Sequence, residues 1–104
     1  MEVNWAFTAR TFLDQLPKRE QQQVMSSVEH AAQNWGVALG SSRLKALQGF
    51  PKDESEQLYL LRAGHDLRVL ISRRENIIVV VDVVRRSQIE RLQSIQRRFK
   101  GSSE

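Results

Sequence analysis

The chain of 104 residues contains no cysteine, which excludes disulfides and thiolate metal sites. No apolar run approaches the ~20 residues that a membrane-spanning helix needs. At the N-terminus no basic segment leads into an apolar stretch, so no signal peptide is read. A glycine-rich phosphate loop, a His-x-x-x-His pair and a zinc-ligand cluster are all missing, and no cofactor or metal is expected. There is no internal repeat, low-complexity tract or interdomain linker. What these absences leave is a soluble single domain over residues 1–104, with the cytoplasm as the default location.

The apolar fraction is 40% and the charged fraction 27%, a balance that supports one modest core rather than disorder. The net charge is +4, and its composition matters more than its size: 12 of the 16 basic residues are arginine. Guanidinium groups fork onto phosphate and carboxylate, so the bias favours a nucleic acid or an acidic protein as partner.

Residues 57–86 organise the chain. Leu58 to Arg62, Leu67 to Ser72 and Ile77 to Val84 read as three strands, joined by Ala63-Gly64-His65-Asp66 and by Arg73-Arg74-Glu75-Asn76. These connections are short, so the strands form an antiparallel meander. The β-branched run from Ile77 to Val81 is apolar on both faces and suits the centre of a sheet. Upstream, Val3, Trp5 and Phe7 alternate as a short edge strand. Thr8 is placed to cap a helix with Phe12, Leu13 and Leu16 on its apolar face. Pro17 opens a second helix in which Val24, Val28, Ala31 and Trp35 recur at helical spacing, with Gly36 just past its end. Arg43 to Leu47 reads as one short helical turn, and residues 49–55 as a loop, with Asp53, Glu54 and the adjoining Glu56 as solvated acids. Ser87 and Glu90 form a capping box for a last helix with Ile89, Leu92, Ile95 and Phe99 on one side. The expected fold class is α+β: two layers, an antiparallel sheet of about four strands, an N-terminal helical hairpin and a C-terminal helix.

This ordered set resembles the RelE/ParE toxin superfamily, the toxins of bacterial type II toxin–antitoxin pairs. The resemblance runs through "FLDQLPKREQQQV", "RLKALQGF", "LYLLRAGHDLRVLI" and "NIIVVVDVVRRSQ", and so covers nearly the whole chain. It implies one of two activities: a RelE-like ribosome-dependent mRNA endonuclease, or a ParE-like inhibitor of DNA gyrase without nuclease activity. A relative without toxicity is a third reading. The resemblance also implies a cognate antitoxin that covers the basic surface, with the ribosome and mRNA (or gyrase) as target.

Metal-free RNA cleavage needs a base for the 2′-hydroxyl proton, an acid for the leaving oxygen, and cations for the phosphorane-like charge. By the family's pattern Arg68 matches the arginine heading the second meander strand, Arg86 matches the one after the last strand, and Arg62 falls one residue from another basic position. Arg85 lies where many relatives have histidine or lysine. Arg62, Arg68 and Arg86 can instead form surface ion pairs with Asp66, Asp82 or Glu90. His65 can exchange a proton near neutrality, with Asp66 fixing its tautomer, or be simply a polar turn residue. Tyr59 can stack on a base or belong to the core. Lys45 follows Leu44 near a position that often holds an active-site residue in relatives, and solvent is its other reading. Arg73 and Arg74 read as solvated turn residues, His30 as surface, Trp5 and Trp35 as core. Two departures from the family stand out. No aromatic follows Arg86 before Phe99, and the lysine pair of some ribosome-dependent members is replaced by Leu60 and Arg62. The general base is left unassigned.

Overall fold

The computed structural model describes residues 1–47 and 57–89. Along the chain run β1 (Glu2–Trp5), α1 (Phe7–Gln15), α2 (Lys18–Gln33), α3 (Trp35–Gly40), β2 (Leu44–Ala46), β3 (Gln57–Arg62), β4 (Leu67–Arg74) and β5 (Ile77–Arg85). Residues 86–89 are helical. All the strands join in one sheet of order β1-β5-β4-β3-β2. From β2 to β5 the pairing is antiparallel, as the short connections require, whereas β1 lies parallel to β5 at the edge.

The three helices share one core with one face of the sheet. From the strands Leu44, Leu61, Leu67, Val69, Ile71, Ile78, Val80 and Val83 are 2% exposed or less, and Ala9, Leu13, Val24, Val28 and Ala31 meet them from the helices. Leu58, Leu60, Leu70, Val79 and Val84, on the opposite parity, are half-buried. That second face is therefore the open one among the described residues.

Several local expectations give way. The helix predicted to begin at a Thr8 cap begins at Phe7, with Ala6 at its N-cap. The cause is strand pairing: the Ala6 amide still donates to the Val80 carbonyl at 2.9 Å, so the helix starts directly where the sheet ends. The second helix stops before Trp35. Asn34 leaves helical geometry (φ −132°, ψ 51°) while its amide caps the His30 carbonyl, and α3 then runs through Gly36. The predicted helical turn at Arg43 to Leu47 is a strand instead. Leu44 fills the core, and the free edge of β3 supplies partners, Leu58 O for the Leu47 amide and the Arg62 amide for Arg43 O. The sheet thus has five strands, and the valine-rich β5 is an interior one, between β1 and β4, as its two apolar faces imply. The expected loop at 49–55, the acids within it, Glu90 and the apolar side of the last helix lie outside the described residues.

One irregularity sets the faces of β5. Leu70 pairs with Asp82 but Ile71 with Val80, so Val81 is an extra residue, a β-bulge. Strict alternation from Ile78 and Val80 would turn Asp82 into the core, where an unpaired carboxylate is costly. The bulge turns Val83 inward instead. Asp82 goes to the open side, where its Oδ1 accepts the Val83 amide at 2.9 Å.

Ile71, fully buried on the middle strand, anchors this core. Ile71→Ala is expected to lower unfolding stability by ~2–5 kcal/mol, read as a lower urea midpoint at unchanged m-value. A loss below ~1 kcal/mol would contradict the packing described, since large-to-small changes in a close-packed core exceed that.

Candidate functional site

The β3–β4 turn, residues 63–66, determines where the arginines go. Ala63 donates its amide to the Leu67 carbonyl at 3.0 Å, closing the turn. Counting back from that bond, Arg62 and Arg68 form a non-hydrogen-bonded pair across β3 and β4, the kind in which Cα atoms come to ~4.5 Å and side chains are nearest. Both point to the open face, on the parity of Leu60 and Leu70. Two like charges directly opposite each other oppose strand pairing. Sequences usually avoid such a conflict, and where it persists a functional site is the common reason.

Arg68 is fixed by the turn itself. Its Nη1 donates to the carbonyls of Leu67 at 2.9 Å, Gly64 at 3.2 Å and His65 at 3.3 Å. Its pKa lies below the ordinary arginine value, first because of burial, then because of Arg62 and Arg86; Asp66 acts in the opposite sense. Three guanidinium groups therefore share one corner of the sheet. Arg86 enters it from the far side of the turn, its amide donating to the Asp66 carbonyl at 2.8 Å. Among the described residues the Arg62 side chain is exposed and has no carboxylate partner. The His65 ring is exposed in the same turn.

Arg85 does not join this group. The bulge at Val81 puts it on the helix side, where Nη1 meets Asp66 Oδ2 at 3.0 Å and Glu20 Oε2 of α2 at 3.3 Å. These hydrogen bonds, Glu20's first, hold its pKa above the ordinary value. The expectation that Asp66 fixes the His65 tautomer is corrected in the same stroke, because the carboxylate is engaged by Arg85. Tyr59 is likewise on the helix side, its ring edge-on to Trp35 at 4.9 Å between centroids, which removes it from the arginine surface. Lys45 is on β2 opposite Leu60, exposed, one row along the open face from Arg62. Arg73, read as a solvated turn residue, lies within β4 and stacks over Trp35 at 5.1 Å.

Sequence reasoning missed Glu20, the acid that draws Arg85 away. Only the packing of α2 beside the turn brings together residues 65 apart in sequence. It also missed the use of Gly64, which has φ +111° and lies against Gln23, where an added Cβ would approach Oε1 to 3.0 Å. No group of three or more histidine, aspartate or glutamate side chains suited to a metal occurs among the described residues.

No family model matches the sequence, and no curated protein matches it either. Solved structures do match by fold. A chain of the archaeal RelE–RelB complex from Pyrococcus horikoshii OT3 superposes with a TM-score of 0.64 at 19% identity, covering 82% of this chain and 93% of that one. The RelB–RelE antitoxin–toxin complex from Methanococcus jannaschii gives 0.62 at 18% identity, with 86% and 96% covered. The YoeB dimer from Staphylococcus aureus gives 0.58 at 14%, with 79% and 92% covered. The chain shares the α+β fold of these RelE and YoeB structures.

Gly64 ties this architecture to the arginine corner. Gly64→Ala forces a side chain into left-handed geometry against Gln23 and is expected to destabilise the protein by ~1–2 kcal/mol. Amide exchange at His65–Leu67 should speed up more than exchange in β1. Unchanged stability and exchange would show that the turn adopts another conformation.

Proposed function

We propose that this protein is the toxin of a type II toxin–antitoxin pair and acts as a RelE-like, ribosome-dependent mRNA endonuclease. The observation that carries the reading is the crowding of Arg62, Arg68 and Arg86 at one end of the open sheet face, with Arg68 held by three carbonyls. The fold shared with RelE and YoeB chains supports the toxin class, and the RelB-bound neighbours support an antitoxin partner.

The chemistry follows from the side chains. The 2′-hydroxyl of the RNA attacks the adjacent phosphorus, losing its proton as the new P–O bond forms. The bond to the 5′-oxygen breaks and that oxygen takes up a proton, leaving a 2′,3′-cyclic phosphate and a 5′-hydroxyl. Negative charge builds on the equatorial oxygens between these events. Fixed guanidinium groups stabilise it, since they stay protonated and need no reorganisation as the charge develops. Arg68 is the pre-positioned cation, Arg62 and Arg86 flank it, and the His65 imidazole in the same turn is the group able to exchange the proton. Lys45 adds a positive charge along the path of the strand. The antitoxin is a small acidic protein, or one with an amphipathic segment that covers the half-buried leucines and the arginines together.

Induced expression without the neighbouring reading frame should arrest growth and leave codon-positioned cuts in cellular mRNA. Arg68→Ala and Arg86→Ala should each lower cleavage by about 10²–10³, the usual effect of losing one transition-state donor, in proteins whose urea midpoints show them folded. Intact mRNA with induced DNA damage would favour gyrase inhibition instead. Full cleavage by both variants would overturn the site.

A further inference from the structure

The arginine corner continues into a groove that the reaction described above does not use. Beside the β3–β4 turn, one side of α2 presents Arg19, Gln22, Gln23, Ser26 and Ser27 next to Gly64. At Ser26 and Ser27 this depression meets a cleft of about 470 Å³ between α2, α3 and β3. His30, Ser41, Arg43 and Arg62 stand around the cleft, over a floor of Ala31, Ala38 and Leu61. Arg62, whose side chain points to the open face, also borders the cleft at the end of β3, and Gly64, which borders the groove, gives its carbonyl to Arg68.

The lining is selective in its chemistry. Residues bearing hydroxyls, carboxamides, an imidazole and guanidinium groups line the two depressions beside apolar surface that includes the exposed Val37, and no carboxylate residue lines either among the described residues. Of the two acids on α2, Glu20 is turned onto Arg85, and Glu29 lines neither depression. Arg19 and Arg43 have no ion-pair partner among the described residues. No Phe, Trp or Tyr lines the groove. Contacts from arginine to phosphate hold a strand whatever its sequence. From Arg19 to His30 the helix rises about 16 Å, room for roughly three to five nucleotides at ~3.4 Å or more each.

We propose that the α2 groove is a sequence-independent track for the phosphate backbone of single-stranded RNA, carrying the strand away from the arginine corner with Arg19 and Arg43 as its charge contacts. The proposal rests on the RNA-directed reading of the corner. It adds a second binding region, on the helix layer, that fixes the direction in which the substrate leaves.

The test is fluorescence anisotropy with a short 2′-O-methyl oligouridylate, which cannot be cleaved, and its mixed-sequence counterpart. The Arg19→Gln/Arg43→Gln double variant should bind more weakly to both. Its plot of log affinity against log salt should be flatter by about 1.4, since each lost phosphate contact removes ~0.7 for single strands. Arg10→Gln, which removes one such charge on α1 beside Asp14, should leave the slope unaltered. An unaltered slope in the double variant overturns the track. So does an equal change in Arg10→Gln, which would mean diffuse attraction, or failure of the parent protein to bind the oligonucleotide in low salt. Stronger competition by an acidic peptide than by unlabelled oligonucleotide also overturns it, in favour of a protein partner. mRNA mapping scores the corner separately, so cleavage that depends on Arg68 alongside an unaltered slope would remove the track and leave the active centre standing.

Discussion

One guanidinium shared among three carbonyls carries the site. Arg68 sits where burial and two neighbouring arginines all work against its charge, and the turn carbonyls of Gly64, His65 and Leu67 offset them. Those carbonyls point inward only because the turn is tight, and the turn is tight because Gly64 has a backbone conformation that residues with a Cβ rarely adopt. The core beneath serves the same end. Leu61, Leu67 and Val69 are buried on the strands that flank the turn, so packing fixes the backbone from which Arg62 and Arg68 extend.

Much of the fold was legible in the sequence because its strongest signals are local. The spacing of Val24, Val28 and Ala31 can only serve a helix with one buried side, and all three are buried. The three meander strands were visible from β-branched runs separated by turn residues. What failed were the short elements, whose state is decided by partners. Leu44-Lys45-Ala46 has too few residues for a period to show, and became a strand because β3 had an unpaired edge. Asn34 broke α2 where Gly36 had been favoured, since an asparagine side chain that competes for backbone carbonyls cannot be distinguished by pattern from one that does not. Parallel pairing of β1 with β5 leaves no local trace at all.

For the candidate site, the residue types and the turn that gathers them could be read, but their sorting could not. Arg62, Arg68 and Arg86 meet as alternation and the basic exit from the last strand implied. Arg85 and Tyr59 were assigned to the same surface and lie on the other side of the sheet. For Tyr59 plain alternation from Arg62 would have given the answer. For Arg85 it would have misled, because the count passes through the extra residue at Val81.

That extra residue sets the faces of the strand without a partner of its own. If Val81 were drawn into the ladder as a regular residue, inside and outside would exchange from there to Arg86: Asp82 would enter the core, and the two consecutive arginines would trade places between Glu20 and the reactive corner. Removing Val81 altogether would instead join Val80 directly to Asp82 and leave both on the faces they now have. The strand can thus lose this one position and keep its faces, whereas it cannot straighten around it.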